Sequence, residues 1–355
     1  MSPPVPTADR PAPTTAGQRP HPDTGRRVRR LTGLAPTGRL QLGNYLGAIR
    51  PMVTAQSTAD DDANLVAIVD LHALTVDHRP HEVRAYTLEQ ATTLLAAGVD
   101  PASTTIYVQS QLPEHTELHY LLECVASHGE VHRMIQFRQR AQASGTGHSR
   151  LSLLTYPVLM AADILLHDTD EVPVGEDQRQ HLELARDLAS RFNNRYGETF
   201  TVPRAVTPRV AARIMDLSDP GAKMGKSRRS GQGVIYLLDP PDVLRRKIAR
   251  AVTDQGREIR HDPIGQPGVA NLLEIIAAGA DTEPAEVAAG LSSYRQLKET
   301  AAEVVIDLLA PIQRRYLTLA RDPHQVRAVL TAGRDRARTR ASATVARARR
   351  ALGLL

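Results

Sequence analysis

Tryptophan is absent from this 355-residue chain, cysteine occurs once, and Phe, Trp and Tyr together make up 3% of it. Each scarcity excludes something. A lone thiol, Cys124, forms no internal disulfide and no cysteine-based zinc site; it is expected to pack inside a helix in a reducing compartment. So few rings argue against a stacking platform for single-stranded nucleic acid. No apolar run approaches the ~18 residues of a membrane-spanning helix, so no membrane association is expected. Lysine is scarce as well: of 44 Lys and Arg residues, only Lys223, Lys226, Lys247 and Lys298 are lysines.

What is present is a globular composition, 41% hydrophobic and 23% charged, in a chain long enough for two domains with separate cores. The formal charge of +5 and pI near 9.5 fit a polyanionic partner, or simply an arginine-biased surface. Residues 1–27 are rich in Pro, Thr and Ala without apolar periodicity, and disorder is expected there. An organellar transit segment is the lesser reading, because the prolines spoil an amphipathic helix. A cytoplasmic protein is expected.

From Val28 the pattern alternates. Strands are expected at Val28–Leu34, Leu65–Val69, Thr105–Gln109 and Glu171–Val174, the second nearly continuous in apolar residues as a buried parallel strand should be. Helices are expected from about Gly43, over His81–Gly98, over Tyr156–Leu166 and from Gly175-Glu176-Asp177. This alternation predicts an α/β fold with a doubly wound parallel sheet, Rossmann-like, over residues 28–215. Beyond about Asp239 only helices are expected, ending in an arginine-dense stretch from Arg334 to Arg350, so residues 233–355 form a helical second domain.

Four segments carry chemistry. The glycine-rich turn Gly33-Leu34-Ala35-Pro36-Thr37-Gly38 leads into Gly43-Asn44, where a helix start offers free amides to a phosphate and Asn44 adds a neutral donor. A structural βα turn explains the same glycines. In the next, Tyr156, Met160, Asp163 and Ile164 share one helix face. Asp163 lies in an apolar stretch and needs a donor there, either an internal partner or a ligand N–H. In Gly175-Glu176-Asp177-Gln178 the acids fall on a helix's first turn, at the sheet end where ligands bind in such folds; helix capping accounts for them equally. Finally, Lys223-Met224-Gly225-Lys226-Ser227, within a loop of residues 216–232, brings two of the four lysines together. Compact ammonium groups suit a moving phosphate, whereas the plain alternative is a solvated basic loop.

Together these segments resemble the bacterial-type tryptophanyl-tRNA synthetases, a class I aminoacyl-tRNA synthetase family, from about Val28 to the C-terminus. Gly43-Asn44 is similar to the first class I signature and Lys223–Ser227 to the second; Tyr156–Asp163, Val172–His181 and Ala212–Met215 match further family segments. The resemblance implies activation of L-tryptophan by ATP with Mg²⁺, then transfer to tRNA(Trp), by a homodimer with an interface near Cys124 and His132. It implies catalytic roles for Lys223, Lys226 and Asn44. It implies an ATP site of Ala35, Pro36, Thr37, Gly43, Asn44, Gly175, Glu176, Asp177, Ile214, Lys223, Met224, Gly225, Lys226 and Ser227. A tryptophan site is implied at Asp163, Tyr156, Met160, Ile164, Gln178, Gln136 and His72, with no protein-held metal. Residues 233–355 would bind the anticodon region, the arginine-dense helices supplying phosphate contacts.

This sequence departs from the family pattern in places. Gln41 stands where the family commonly has Thr, Ala35 replaces a polar residue, Gly225 replaces Ser, and Arg140 replaces a lysine. Such departures suggest an auxiliary paralogue. The alternatives are a tyrosyl-tRNA synthetase, which tends to place Gln where Met160 stands, a non-translational tryptophan-binding paralogue, and a small-molecule nucleotidylyltransferase, which would lack the helical domain.

Overall fold

The computed structural model describes residues 28–56, 63–135, 150–175, 178–206, 214–225, 231–254, 256 and 258–355. Its centre is a sheet of five parallel strands: β1 (Arg30–Leu34), β2 (Asn64–Ile68), β3 (Thr105–Val108), β4 (Glu171–Pro173) and β5 (Arg204–Val206), in the order β3-β2-β1-β4-β5. The helices between them are α1 (Leu42–Asn44), continued through a π-helical turn Tyr45–Ile49 into α2 (Arg50–Thr54), α3 (Asp70–Ala73), α4 (Pro80–Ala96), α5 (Glu114–Glu123), α6 (His128–His132), α7 (Leu151–Leu165) and α8 (Arg179–Tyr196). Five more follow: α9 (Pro241–Ala249), α10 (Pro267–Ala280), α11 (Pro284–Ala289), α12 (Tyr294–Ala320) and α13 (Pro323–Ala351).

The alternation of side chains along each strand divides the core between the two sheet faces. Val66, Ile68, Ile106 and Val108 join a cluster with Leu46, Ile49 and Leu94. Leu65, Ala67 and Tyr107 join another with Leu118, Leu153, Leu165 and Leu182. Every residue of β2 is buried, as its apolar run requires. Glu171 on β4 locks the register, accepting from Arg30 of β1 and Arg204 of β5, with closest contacts of 2.7 and 2.6 Å.

Beyond Asp239 only helices and turns occur among the described residues. Two features tie this region back to the sheet. Just ahead of it, the Leu42 N–H donates to the Ile235 carbonyl and the Leu237 N–H to the Leu40 carbonyl, and α13 packs along the edge strand β3 and α5. Covering that edge keeps its backbone from pairing elsewhere. The approach is close: a Cβ on Gly333 would lie 1.8 Å from the Ile106 carbonyl oxygen, and Ala337, Ala341 and Ala348 continue the small-residue stripe.

One expectation needs correction. Cys124 is exposed at the end of α5, because its neighbours Leu121, Leu122 and Val125 take the buried face. Four arginines of α13 are partnered within the chain: Arg336 donates to the Pro101 carbonyl, Arg338 to that of Gln111, Arg347 to Asp168 and Arg349 to Glu117. They fasten the helix to the sheet domain. β5 was absent from the sequence reading, its three residues being too few to show a period.

Candidate active site

In a parallel sheet, the loops that leave the C-terminal strand ends share one rim. β1 leads into Ala35-Pro36-Thr37 and Gly43-Asn44, β2 into His72, β3 into Gln109, and β4 into Gly175. Asp163, near the end of α7, is drawn to the same rim by hydrogen bonds. Its Oδ1 accepts from Gln109 Nε2 and His115 Nδ1, both at 2.7 Å, and its Oδ2 accepts from His72 Nε2 at 3.0 Å. Burial pushes the Asp163 carboxyl up, but the charge and hydrogen bond of His115, with those of His72, outweigh it and hold the group below the usual carboxylate range. The anion is therefore fixed. Its Oδ2 carries one protein donor, leaving acceptor capacity for another.

A second layer holds these donors. The Leu71 amide donates to Gln109 Oε1 at 3.1 Å, which turns the Gln109 amino group toward Asp163. Tyr107 stacks on His115 with centroids 5.7 Å apart. Burial, with Asp163 nearby, keeps the Tyr107 phenol protonated, and its hydroxyl lies 2.7 Å from His167 Nε2, within hydrogen-bond distance. Burial also holds His167 neutral, helped by the charges of His115 and Arg340 and opposed by Asp163.

On the same helix face, the Tyr156 hydroxyl lies 2.8 Å from His181 Nε2, and the Tyr156 ring meets His72 edge-on. Met160 is half-buried beside the pocket-side core, whereas Ile164 is sunk fully within it. Gln178 is half-buried at the start of α8.

In the turn that leaves β1, Pro36 is buried, Ala35 half-buried and Thr37 exposed. Gln41 caps α1, accepting the Gly43 N–H, while Asn44 Oδ1 accepts the Gln41 N–H at 3.2 Å. Ile214 is drawn to the loop: the Met224 N–H donates to its carbonyl at 3.0 Å, and Met215 bridges to Lys223. Asn271 of α10 braces that segment, accepting the Met215 N–H at 2.8 Å and donating to the Met215 carbonyl at 3.0 Å. Lys223 is exposed, Met224 buried and Gly225 half-buried. Gln136, Glu176, Asp177, Lys226 and Ser227 lie outside the described residues.

The sequence reading missed Gln109, His115 and Asn271. A polar residue at the end of a buried strand was the available signal for Gln109. Nothing local marks His115 or Asn271, whose partners are 48 and 56 residues away.

The model of the class I tRNA synthetases for tryptophan and tyrosine matches residues 23–310. The chain belongs to that family. It is 55% identical to tryptophan–tRNA ligase 1 of Streptomyces coelicolor over 92% of this chain and 98% of the relative. A crystal structure of tryptophanyl-tRNA synthetase from Mycoplasma pneumoniae superimposes with a TM-score of 0.85 at 37% identity, covering 92% of this chain and 98% of that one. The Campylobacter jejuni synthetase, complexed with ADP and tryptophan, matches with a TM-score of 0.76 at 31% identity, over 92% of this chain and all of that one. The synthetase fold expected from the sequence is thus the fold found. No helix among the described residues is long and apolar enough to cross a membrane.

Proposed function

We infer that this chain is a tryptophan–tRNA ligase. The observation that carries the reading is the near full-length identity with the Streptomyces coelicolor ligase. The tryptophan carboxylate attacks the α-phosphorus of ATP in line, forming tryptophanyl-adenylate and releasing pyrophosphate; the acyl group then passes to the 3′-terminal adenosine of tRNA(Trp). The first step needs little proton transfer, so catalysis rests on positioning and on stabilising the departing charge. Lys223 and Lys226 take that role, with Asn44 and the α1 amides beside the nucleotide. Ala35–Thr37, Gly43, Gly175–Asp177, Ile214, Met224, Gly225 and Ser227 complete the ATP site. ATP use is supported by the ADP in the Campylobacter jejuni relative.

Asp163 Oδ2 accepts the indole N–H. His72 and Met160 border the ring, Ile164 backs it, and Tyr156, Gln178 and Gln136 hold the amino and carboxylate groups. A carboxylate held as an anion is a demanding acceptor, and a site built around a substrate N–H discriminates strongly against analogues lacking it. Met160 disfavours a tyrosine hydroxyl. Mg²⁺ arrives on the triphosphate, since it commonly relies on substrate phosphates.

Residues 28–215 form the catalytic unit, 216–232 the lysine loop and 233–355 the anticodon-binding unit, with residues 1–27 an extension. The protein acts in the cytoplasm as a homodimer. Exposed Leu74, Val76, Tyr120, Ile135 and Leu151, on and around α5 and α7, support a dimer face there. The test is ATP–pyrophosphate exchange and aminoacylation: tryptophan should stimulate both, and stimulation by tyrosine alone would overturn the assignment.

A further inference from the structure

Gln41 does more than cap a helix. Its side chain is buried, at 3% exposure, and its amide points two ways. Oε1 accepts the Gly43 N–H, and Nε2 donates to the Met224 carbonyl at 3.0 Å, 183 residues away. Gly43 makes this possible, since a Cβ there would lie 2.9 Å from Gln41 Oε1. One side chain thereby joins the turn leaving β1 to the Lys223–Ser227 loop. We propose that Gln41 is a positioning residue, tethering the lysine loop to the nucleotide-side turn before ATP arrives.

Other described contacts hold the same segment. Met224 pairs through its N–H with the Ile214 carbonyl, and Asn271 clamps the neighbouring Met215. These backbone bonds fix one side of the Met224 peptide and do not depend on the side chain at position 224. The Gln41 bond fixes the other side, from a different element. Lys223 precedes Met224 by one residue, so holding the Met224 carbonyl restrains the backbone from which its ammonium stem departs. Pre-ordering the loop lowers the entropy it loses when it engages the phosphates. Thr, which this family commonly has at this position, ends its hydroxyl at the γ position: it can cap α1 but cannot reach Met224. The tether therefore belongs to a chain with Gln at this site. The kinetic role rests on the proposed activity; the tether itself does not.

The test compares the unmodified protein with Gln41→Thr and Gln41→Glu. Both variants can accept the Gly43 N–H; Thr is too short to reach the Met224 carbonyl, and an ionised Glu has no proton to donate to it. Trypsin recognises Lys223, Lys226, Arg228 and Arg229, so nicking in the unliganded protein reports on the loop. Both variants should be cut there roughly two- to tenfold faster, the range expected from one neutral hydrogen bond, with cutting elsewhere unchanged. In pyrophosphate exchange, Gln41→Thr should lower kcat/KM for ATP by a similar factor and leave KM for tryptophan unchanged. Unchanged nicking in both variants would overturn the tether. Equal losses for ATP and tryptophan would show a general folding defect and overturn the positioning role. Failure of the unmodified protein to catalyse exchange would instead defeat the proposed activity, and the proteolysis would still decide the tether.

Discussion

The two ends of the site are built by different means. At the pocket end, a buried carboxylate is gripped by three side chains from three elements, His72, Gln109 and His115, and Tyr107 and His167 back them. At the loop end, Ile214, Met215 and Met224 are held largely through backbone groups, with Asn271 and Gln41 as the side-chain contacts. The pocket has to present one charge at one point, and low dielectric makes any loosened partner there costly. On the proposed reading the loop end has to follow a polyphosphate, and backbone pairing with a few side-chain ties suits that role. Changes at the pocket end should therefore reduce stability and tryptophan binding together, whereas changes at the loop end should reduce rate alone.

Asp163→Ala tests the pocket side most severely. It leaves His72, Gln109 and His115 without their shared acceptor, and breaking such a buried cluster costs about 3–5 kcal/mol. Denaturant unfolding should show that loss, together with failure to bind tryptophan in calorimetry. Full stability in this variant would break the comparison. Lys226→Ala tests the other side. Removing one charge-stabilising group should slow adenylate formation ~10²–10³-fold, with tryptophan affinity and the unfolding midpoint unchanged. Equal losses in rate and affinity would show that the loop does not act on pyrophosphate.

Gly333→Ala probes the backing of the pocket from outside. The added methyl meets the Ile106 backbone, and overpacking of this kind costs about 1–3 kcal/mol, read as a lower melting temperature. The pH dependence of stability should reveal His167. Its folded-state pKa lies below the ordinary value of 6.5, chiefly through burial. The unfolded chain therefore binds more protons as pH falls below about 6.5; the stability contribution is complete above that value and is lost on acidification. Unfolding midpoints should drop between about pH 7.5 and about pH 5.5, and His167→Asn should flatten that drop. The smallest effect belongs to Arg349→Ala. Its pair with Glu117 is half-exposed on both sides, so about 0.2–1 kcal/mol is expected.

How much of this was legible in the sequence depends on the range over which each residue acts. β2 showed itself because five consecutive buried residues leave an apolar run. Asp163 showed itself because a carboxylate amid Ala and Leu needs an explanation. β5 did not, with three residues, two of them exposed. α7 begins at Leu151, five residues before the expected start at Tyr156, because Pro157 inside the helix reads as a boundary. The arginines of α13 were visible as charge, but whether they face solvent or carbonyls cannot be read from spacing.

By itself the sequence determined the alternation of strands and helices, the all-helical second half, the family resemblance and the residue types that ATP and tryptophan chemistry require. Those follow from period, composition and short motifs, which act over a few residues. Only the tertiary structure decided that Asp163 already has three donors, that α13 closes the edge of β3, and that Gln41 reaches Met224. Each of these depends on contacts between residues 48 to 227 positions apart, and such contacts are set by packing, not by local pattern.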